Sequence, residues 1–260
     1  MFHYYITDRR QFAGDASAQR KRLLAKIAEA SRAGIDYIQL RERDLMPREL
    51  EALAREAVEV ILQATSTSTL ARVAEGLDKP GLGLAAGTRL LINSRVDIAL
   101  GVGAGGVHLR ADDIPASEAR VIWDKAARTG GLRSVLAPFV VAVSCHTPAE
   151  VRSAEAHGAD FAVFAPVFEK ATPPQRPGVG LEALREACRG SGAPPNVEGV
   201  GAGRMPVLAL GGITLDNARA CVEAGTAGIA AIRLFQDNDV AEILAQLRQV
   251  ELSRRTMASR

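Results

Sequence analysis

The chain has 260 residues, 47% hydrophobic and 24% charged, with a net charge of +2. That is an ordinary globular balance, close to the roughly 250 residues of one (β/α)8 barrel and long enough to bury a core without metal or disulfide staples. It carries no nucleic-acid footprint, an aromatic content of 4% argues against stacking on bases, and no run reaches the ~18 apolar residues of a membrane span.

The opening MFHYYITDRR has no charged stretch followed by an apolar one, so it does not read as a secretory signal and a cytoplasmic location is expected. Within it HYYITD (3–8) reads as a first strand. A helical pattern over Ala18–Ala33 leads to YIQLRE (37–42), and a second over Arg48–Leu62 precedes RLLINS (89–94). Then come GVHLR (106–110), FVVAVSC (139–145), FAVFAPVF (161–168), PVLALGG (206–212) and GIAAIRLF (228–235). Short apolar runs of this kind, alternating with amphipathic segments, are the pattern of parallel strands buried on both faces. Thr147-Pro148 with Glu150, and Thr214 with Asn217, mark two helix starts. The joints AGIDYIQL, GAGGVHL, HGADFAVF and AGTAGIAAI repeat a glycine (Gly34, Gly103, Gly158, Gly225) three residues before strands 2, 4, 6 and 8. Such a glycine ends a helix in the left-handed conformation. Eight alternations predict the α/β class and a single (β/α)8 TIM barrel over residues 1–260. Residues 64–87 and the Gly/Pro-rich stretch 190–204 break the rhythm as long connections, and Asp15–Gln19 and Ser253–Arg260 are expected to fray. Cys145, Cys188 and Cys221 match no zinc or disulfide spacing and read as buried thiols.

In such a barrel the chemistry sits at the strand C-termini. Strand 2 ends in Gln39-Leu40-Arg41-Glu42-Arg43, and alternation turns Gln39, Arg41 and Arg43 the same way. Two guanidiniums suit an anion, the bland alternative being a rim salt-bridged to Glu42 and Asp44. Strand 7 opens through Gly211-Gly212-Ile213-Thr214 into a helix, as a phosphate site would. Asn93 and Ser94 end strand 3, and Asp112-Asp113 after strand 4 could hold Mg²⁺. Strand 5 ends in Ser144-Cys145-His146, where His146 is a candidate acid–base group and Cys145 points to the core. The plain alternative is that His146 only bonds a neighbouring loop carbonyl. His108 and His157 read as structural. After strand 6 a polar loop from Glu169 to Gly180 could close over a substrate.

Taken together, YYITD, QLRER, LLINSRVDIAL, GAGGVHL, SCHTPAEV, HGADFAVFAPVF, LALGGIT and GIAAI resemble the thiamine phosphate synthase and TenI superfamily over nearly the whole barrel. The resemblance implies thiamine biosynthesis and a thiazole phosphate bound at the mouth. Synthases join it to hydroxymethylpyrimidine pyrophosphate with Mg²⁺; TenI-type members tautomerise a thiazole carboxylate phosphate with no cofactor. It assigns ligand contacts to Gln39, Arg41, Asn93, Ser144 and Thr172, and Asp113 to the metal. Arg43 stands for a lysine that touches pyrophosphate, Ser94 for a metal-binding Asp, Lys170 and Pro173 for a Thr and a Lys, and Arg233 for a small Ser that helps receive phosphate. His146 falls where tautomerases place their proton carrier, a position at which synthases also carry His. SCHTPAEV and GIAAIR also look like the TenI-like domain fused to some Nudix hydrolases. From sequence a TenI-like protein stands first, the synthase second, and a non-catalytic phosphate-ligand module third. The partners expected are the thiazole phosphate and the pyrimidine pyrophosphate, not nucleic acid or membrane; a homo-oligomer is left open.

Overall fold

The computed structural model describes residues 1–74, 87–129, 139–169, 177–189 and 204–258, with side chains placed for all of these but 66–74, 129 and 254–258. Eight parallel strands close into a barrel in chain order. They are β1 (Phe2–Ile6), β2 (Tyr37–Leu40), β3 (Arg89–Asn93), β4 (Gly106–Leu109), β5 (Val140–Cys145), β6 (Phe161–Phe164), β7 (Val207–Ala209) and β8 (Gly228–Ala231). β8 pairs back onto β1, Phe2 opposite Gly228. Around them run α1 (Ala16–Ala33), α2 (Pro47–Ala74), α3 (Val96–Val102), α4 (Ala116–Thr129), α5 (Pro148–Ala156), α6 (Gly180–Arg189), α7 (Leu215–Glu223), the four-residue α8 (Arg233–Gln236) and α9 (Val240–Ala258). Among the described residues no helix is long and apolar enough to cross a membrane.

Alternation along the strands divides the core in two. Tyr4, Ile6, Leu91, Val140, Ala142, Phe161, Val163, Leu208 and Ala230 fill the barrel interior. The residues between them, such as Tyr5, Ile38, Leu90, Val141 and Ile229, pack outward on the helices. Strands with both faces covered carry no polar face, which is why they read as apolar runs.

The repeated joint has a physical basis. Gly34, Gly103, Gly158 and Gly225 all have positive φ, between 67° and 104°, ending the helix before strands 2, 4, 6 and 8. The aspartate two residues on serves two of the joints alike. Asp36 Oδ2 accepts from His3 N at 2.8 Å, and Asp160 Oδ2 accepts from Val141 N at 2.6 Å, so each ties its joint to the preceding strand.

Helix signals held, with corrections to length. Thr147 and Thr214 cap α5 and α7, and Asn217 completes a reciprocal capping box. Glu150 instead accepts from His146 N at 2.6 Å. Asp15–Gln19 is not frayed, since Asp15 caps α1 and Gln19 Nε2 donates to Phe12 O and Gly14 O. α2 runs on to Ala74, through the first part of the stretch expected as a long connection. The remainder of that stretch, 75–86, and 190–203 lie outside the described residues.

Candidate active site

The strand C-termini gather most of the residues singled out from sequence, and side-chain hydrogen bonds join several of them. Gln39 Nε2 donates to Asn93 Oδ1 at 2.9 Å, and Asn93 Nδ2 to Ser94 Oγ at 3.2 Å. Ser94 Oγ then donates to Asp113 Oδ2 at 2.6 Å, and that oxygen also accepts from Arg110 N at 2.7 Å. One continuous chain thus crosses the mouth from β2 to the loop after β4. Ser94 holds φ at +58°, the one positive-φ residue besides glycine among those described. That left-handed turn carries its hydroxyl to Asp113. Asp112 takes no part; it pairs with the exposed Arg110.

Arg41 comes out differently from Glu42 and Asp44. The acids do not bridge to Arg41 or Arg43. Arg9, unnoticed in the sequence, takes both, Nη1 lying 3.1 Å from Glu42 Oε2 and 2.7 Å from Asp44 Oδ1. Thr7 Oγ1 donates to Glu42 Oε1 at 2.6 Å while accepting from Arg41 N at 3.0 Å. The half-buried Arg41 guanidinium therefore has no hydrogen-bond or ion-pair partner among the described residues, and neither does exposed Arg43. Burial, then repulsion from Arg43, pulls the Arg41 pKa below its ordinary value. A guanidinium in that state favours any anion that arrives.

On β5, alternation places Cys145 in the core, where burial pushes its thiol up to about 12. Ser144 faces the interior and meets His108, whose Nε2 lies 2.8 Å from Ser144 Oγ. His108 is buried, as expected of a structural residue, yet it touches a candidate ligand contact. Exposed His146 donates from Nδ1 to Ala165 O at 2.6 Å. The carbonyl can only accept, so Nδ1 carries a proton, and in the neutral ring Nε2 is left as the basic atom. The bond to a loop carbonyl thus orients His146 without consuming it. His157 Nδ1 meets only Ser153 of its own helix, at the surface.

At β7, Gly211 and Gly212 have φ of 100° and 62°. A β-carbon on Gly211 would lie 2.6 Å from Pro166 Cα, and one on Gly212 2.8 Å from Glu169 O and Phe168 Cβ. Packing against the loop after β6 is thus sufficient reason for both glycines, whatever binds there. Phe168 N donates to Gly211 O at 3.1 Å, stitching the two loops together. Lys170, Thr172 and Pro173 lie outside the described residues, just beyond Glu169. Arg233 is exposed at the start of α8, which Gln236 anchors to Tyr5 and Asp8 of the first strand and its following turn. A cavity of about 130 Å³ lies behind Asp113 and Ser144, against α5. A larger one, about 250 Å³, lies between α7 and α9 on the outer ring and holds no residue of the mouth.

The family model described as thiamine monophosphate synthase matches residues 64–235. The chain belongs to the thiamine monophosphate synthase family. Curated relatives agree over more of its length. Thiamine-phosphate synthase of Roseiflexus castenholzii is 33% identical over 230 residues, 88% of this chain and 78% of that protein. Thiamine-phosphate synthase of Natronomonas pharaonis is 32% identical over 242 residues, 92% of this chain and 89% of that one. Among solved structures, a thiamine phosphate pyrophosphorylase from Pyrococcus furiosus superposes with a TM-score of 0.65, covering 96% of this chain and 94% of its own. At 24% identity that likeness speaks for the barrel alone. Membership in the thiamine monophosphate synthase family bears out the superfamily named from QLRER, SCHTPAEV and LALGGIT, and places the chain in thiamine biosynthesis.

Proposed function

We propose that the chain is a thiamine phosphate synthase, joining a thiazole phosphate to hydroxymethylpyrimidine pyrophosphate. This reverses the order drawn from sequence, where tautomerisation stands first. The observation that carries it is the name shared by relatives a third identical over about nine-tenths of the chain. The unopposed Arg41 beside the Gln39–Asn93–Ser94–Asp113 chain supports it. In this reading the C–O bond between the pyrimidine methylene and pyrophosphate breaks, and both electrons leave with pyrophosphate. The thiazole nitrogen lone pair then forms the new C–N bond. Arg41 and Arg43 receive the pyrophosphate charge, with Lys170 and Thr172 from the loop after β6. The Gly211-Gly212 turn and Arg233 receive the thiazole phosphate, and Gln39, Asn93 and Ser144 hold the ligands by hydrogen bonds.

Mg²⁺, which the resemblance implies for a synthase, does not find its site ready in these residues. Among the described residues no three His, Cys, Asp or Glu side chains come together. Asp113 is the one family-matched carboxylate, its Oδ2 already accepts two hydrogen bonds, and Arg110 Nε stands 3.7 Å from Oδ1. The same observation favours a second reading, thiazole tautomerisation, with His146 Nε2 as the proton carrier. The deciding experiment supplies both substrates and Mg²⁺ and looks for thiamine phosphate. Formation supports the synthase. Binding without formation, together with solvent deuterium entering the thiazole, would replace it by the tautomerase.

A further inference from the structure

A second hydrogen-bond chain crosses the barrel interior, beneath the mouth. Tyr4 on β1 is fully buried, and its hydroxyl lies 2.8 Å from His108 Nδ1 on β4. His108 Nε2 lies 2.8 Å from Ser144 Oγ on β5. The phenol and imidazole rings stack at 5.6 Å with 22° between their planes. Burial, and then the nearby Arg41 charge, hold the imidazole pKa down at about 3, so the ring is neutral at physiological pH.

A neutral imidazole has one N–H and one lone pair, so the chain runs in one of two directions. If Nδ1 carried the proton, it would donate to the Tyr4 oxygen. The phenol proton would then need another acceptor, and among the described residues it has none. Its surroundings are the rings of Tyr37 and Phe161. A buried donor without an acceptor is the costly outcome. The other direction satisfies the buried phenol and both ring nitrogens. Tyr4 donates to Nδ1, Nε2–H donates to Ser144 Oγ, and the Ser144 hydroxyl keeps its own proton to give. Ser144 has no acceptor for that proton among the described residues, and it stands at the C-terminal end of β5.

We propose that Tyr4 and His108 are positioning residues that commit the Ser144 hydroxyl to donating into the mouth, so that it selects an acceptor atom, a phosphoryl oxygen, in the bound ligand. A serine without this backing could turn either way. The inference rests on the reading of the mouth as a phosphate or pyrophosphate site, but the direction of the chain can be measured without any ligand.

The first measurement is ¹⁵N NMR of the His108 ring in the full chain. A protonated Nε2 and a bare Nδ1, unchanged from pH 6 to 8, are expected. A protonated Nδ1, or an imidazolium in that range, overturns the proposal. The second is a double-mutant cycle with inorganic pyrophosphate as probe. Ser144→Ala should weaken its binding about tenfold, as for loss of one hydrogen bond to a charged group. Tyr4→Phe should let the Nδ1–H tautomer appear and weaken binding about two- to fivefold, by the fall in the competent fraction. In the Ser144→Ala background Tyr4→Phe should change nothing. An equal loss in both backgrounds, or no loss in Ser144→Ala, overturns the proposal. If the tautomer and the cycle stand while the wild type forms no thiamine phosphate, the synthase reading fails and the positioning chain survives.

Discussion

Ser94→Asp restores the carboxylate that the family resemblance expects beside Asp113, and its cost and benefit can both be worked from the structure. The backbone is no obstacle, because Ser94 sits at φ +58° and Asp is among the few residues that tolerate that conformation. The substitution removes the 2.6 Å hydrogen bond from the Ser94 hydroxyl to Asp113 Oδ2, about 1.5–3 kcal/mol for a bond to a charged group. It also sets two carboxylates ~4 Å apart, a repulsion of about 4 kcal/mol at an effective dielectric of 20. The Asp113 side chain is 20% exposed, so solvent and rotation reduce that figure. A net loss of about 2–5 kcal/mol in EDTA is expected, which for a chain of this size lowers Tm by about 5–15 °C. The same pair now offers Mg²⁺ two carboxylates. At a hundred times its Kd the ion returns about 2.7 kcal/mol, and with pyrophosphate present it should bind more tightly still. Calorimetric melts in EDTA, in Mg²⁺, and in Mg²⁺ with pyrophosphate measure all three terms, with the wild type as the nearly Mg²⁺-insensitive control. A variant as stable as wild type in EDTA would mean that the Ser94–Asp113 bond contributes nothing. A variant that Mg²⁺ does not stabilise would mean that the obstacle to metal binding lies elsewhere, at Arg110 or in the loop after β6.

Gly212→Ala should cost about 1–3 kcal/mol in urea denaturation, since φ is +62° and its β-carbon would meet Phe168 Cβ and Glu169 O at 2.8 Å; full stability would show that the two loops are not packed as described. Glu42→Ala should cost about 3 kcal/mol by stranding Arg9 in a buried site, with Asp44 moderating the loss, and an effect under about 1 kcal/mol in the same assay would remove Glu42 from the core of that cluster. The Arg9 hydrogen bonds hold the Asp44 carboxyl below its ordinary range. Its folded pKa is thus depressed, so its share of stability is complete above the ordinary carboxylate range and lost as pH falls through and below it. Urea midpoints from pH 6 down to 3 should fall less steeply in Asp44→Asn than in wild type; parallel slopes would contradict the linkage. His146→Ala should leave thiamine phosphate formation within about threefold, because that reaction moves no proton at carbon, and a loss of a hundredfold would put the imidazole into the chemistry.

Strand starts and the closed barrel were legible because parallel strands covered on both faces have no polar alternation to blur them. Strand ends were less so. The run FAVFAPVF reads as strand to Phe168, but β6 stops at Phe164 before Ala165-Pro166 turns away. GIAAIRLF reads as strand to Phe235, yet Leu234 and Phe235 are buried in α8, where Phe235 meets Tyr5 at 6.4 Å between ring centroids. A short apolar run cannot tell a buried strand from one buried helical turn. The helical pattern over Arg48–Leu62 gives way in sequence to the polar ATSTST stretch of weak helix formers, whereas α2 continues to Ala74.

For the mouth, alternation supplied directions but not partners. It separated Ser144 from Cys145 correctly, because that pair straddles the pleat at the end of β5; β2 stops at Leu40, so Arg41, Glu42 and Arg43 lie past its end, where alternation no longer applies. Partners come from elsewhere in the chain, 33 residues away for Arg9 and Glu42, 19 for Ser94 and Asp113, and 104 for Tyr4 and His108. No periodicity in one sequence reports such pairings. Yet the charge order in Arg41-Glu42-Arg43-Asp44 acquires a meaning once Arg9 is seen. Arg9, in the turn after β1, holds Glu42 and Asp44 together. Arg9 thus occupies both acids, and the Arg41 guanidinium is left without an ion-pair partner among the described residues, as the proposed pyrophosphate contact requires.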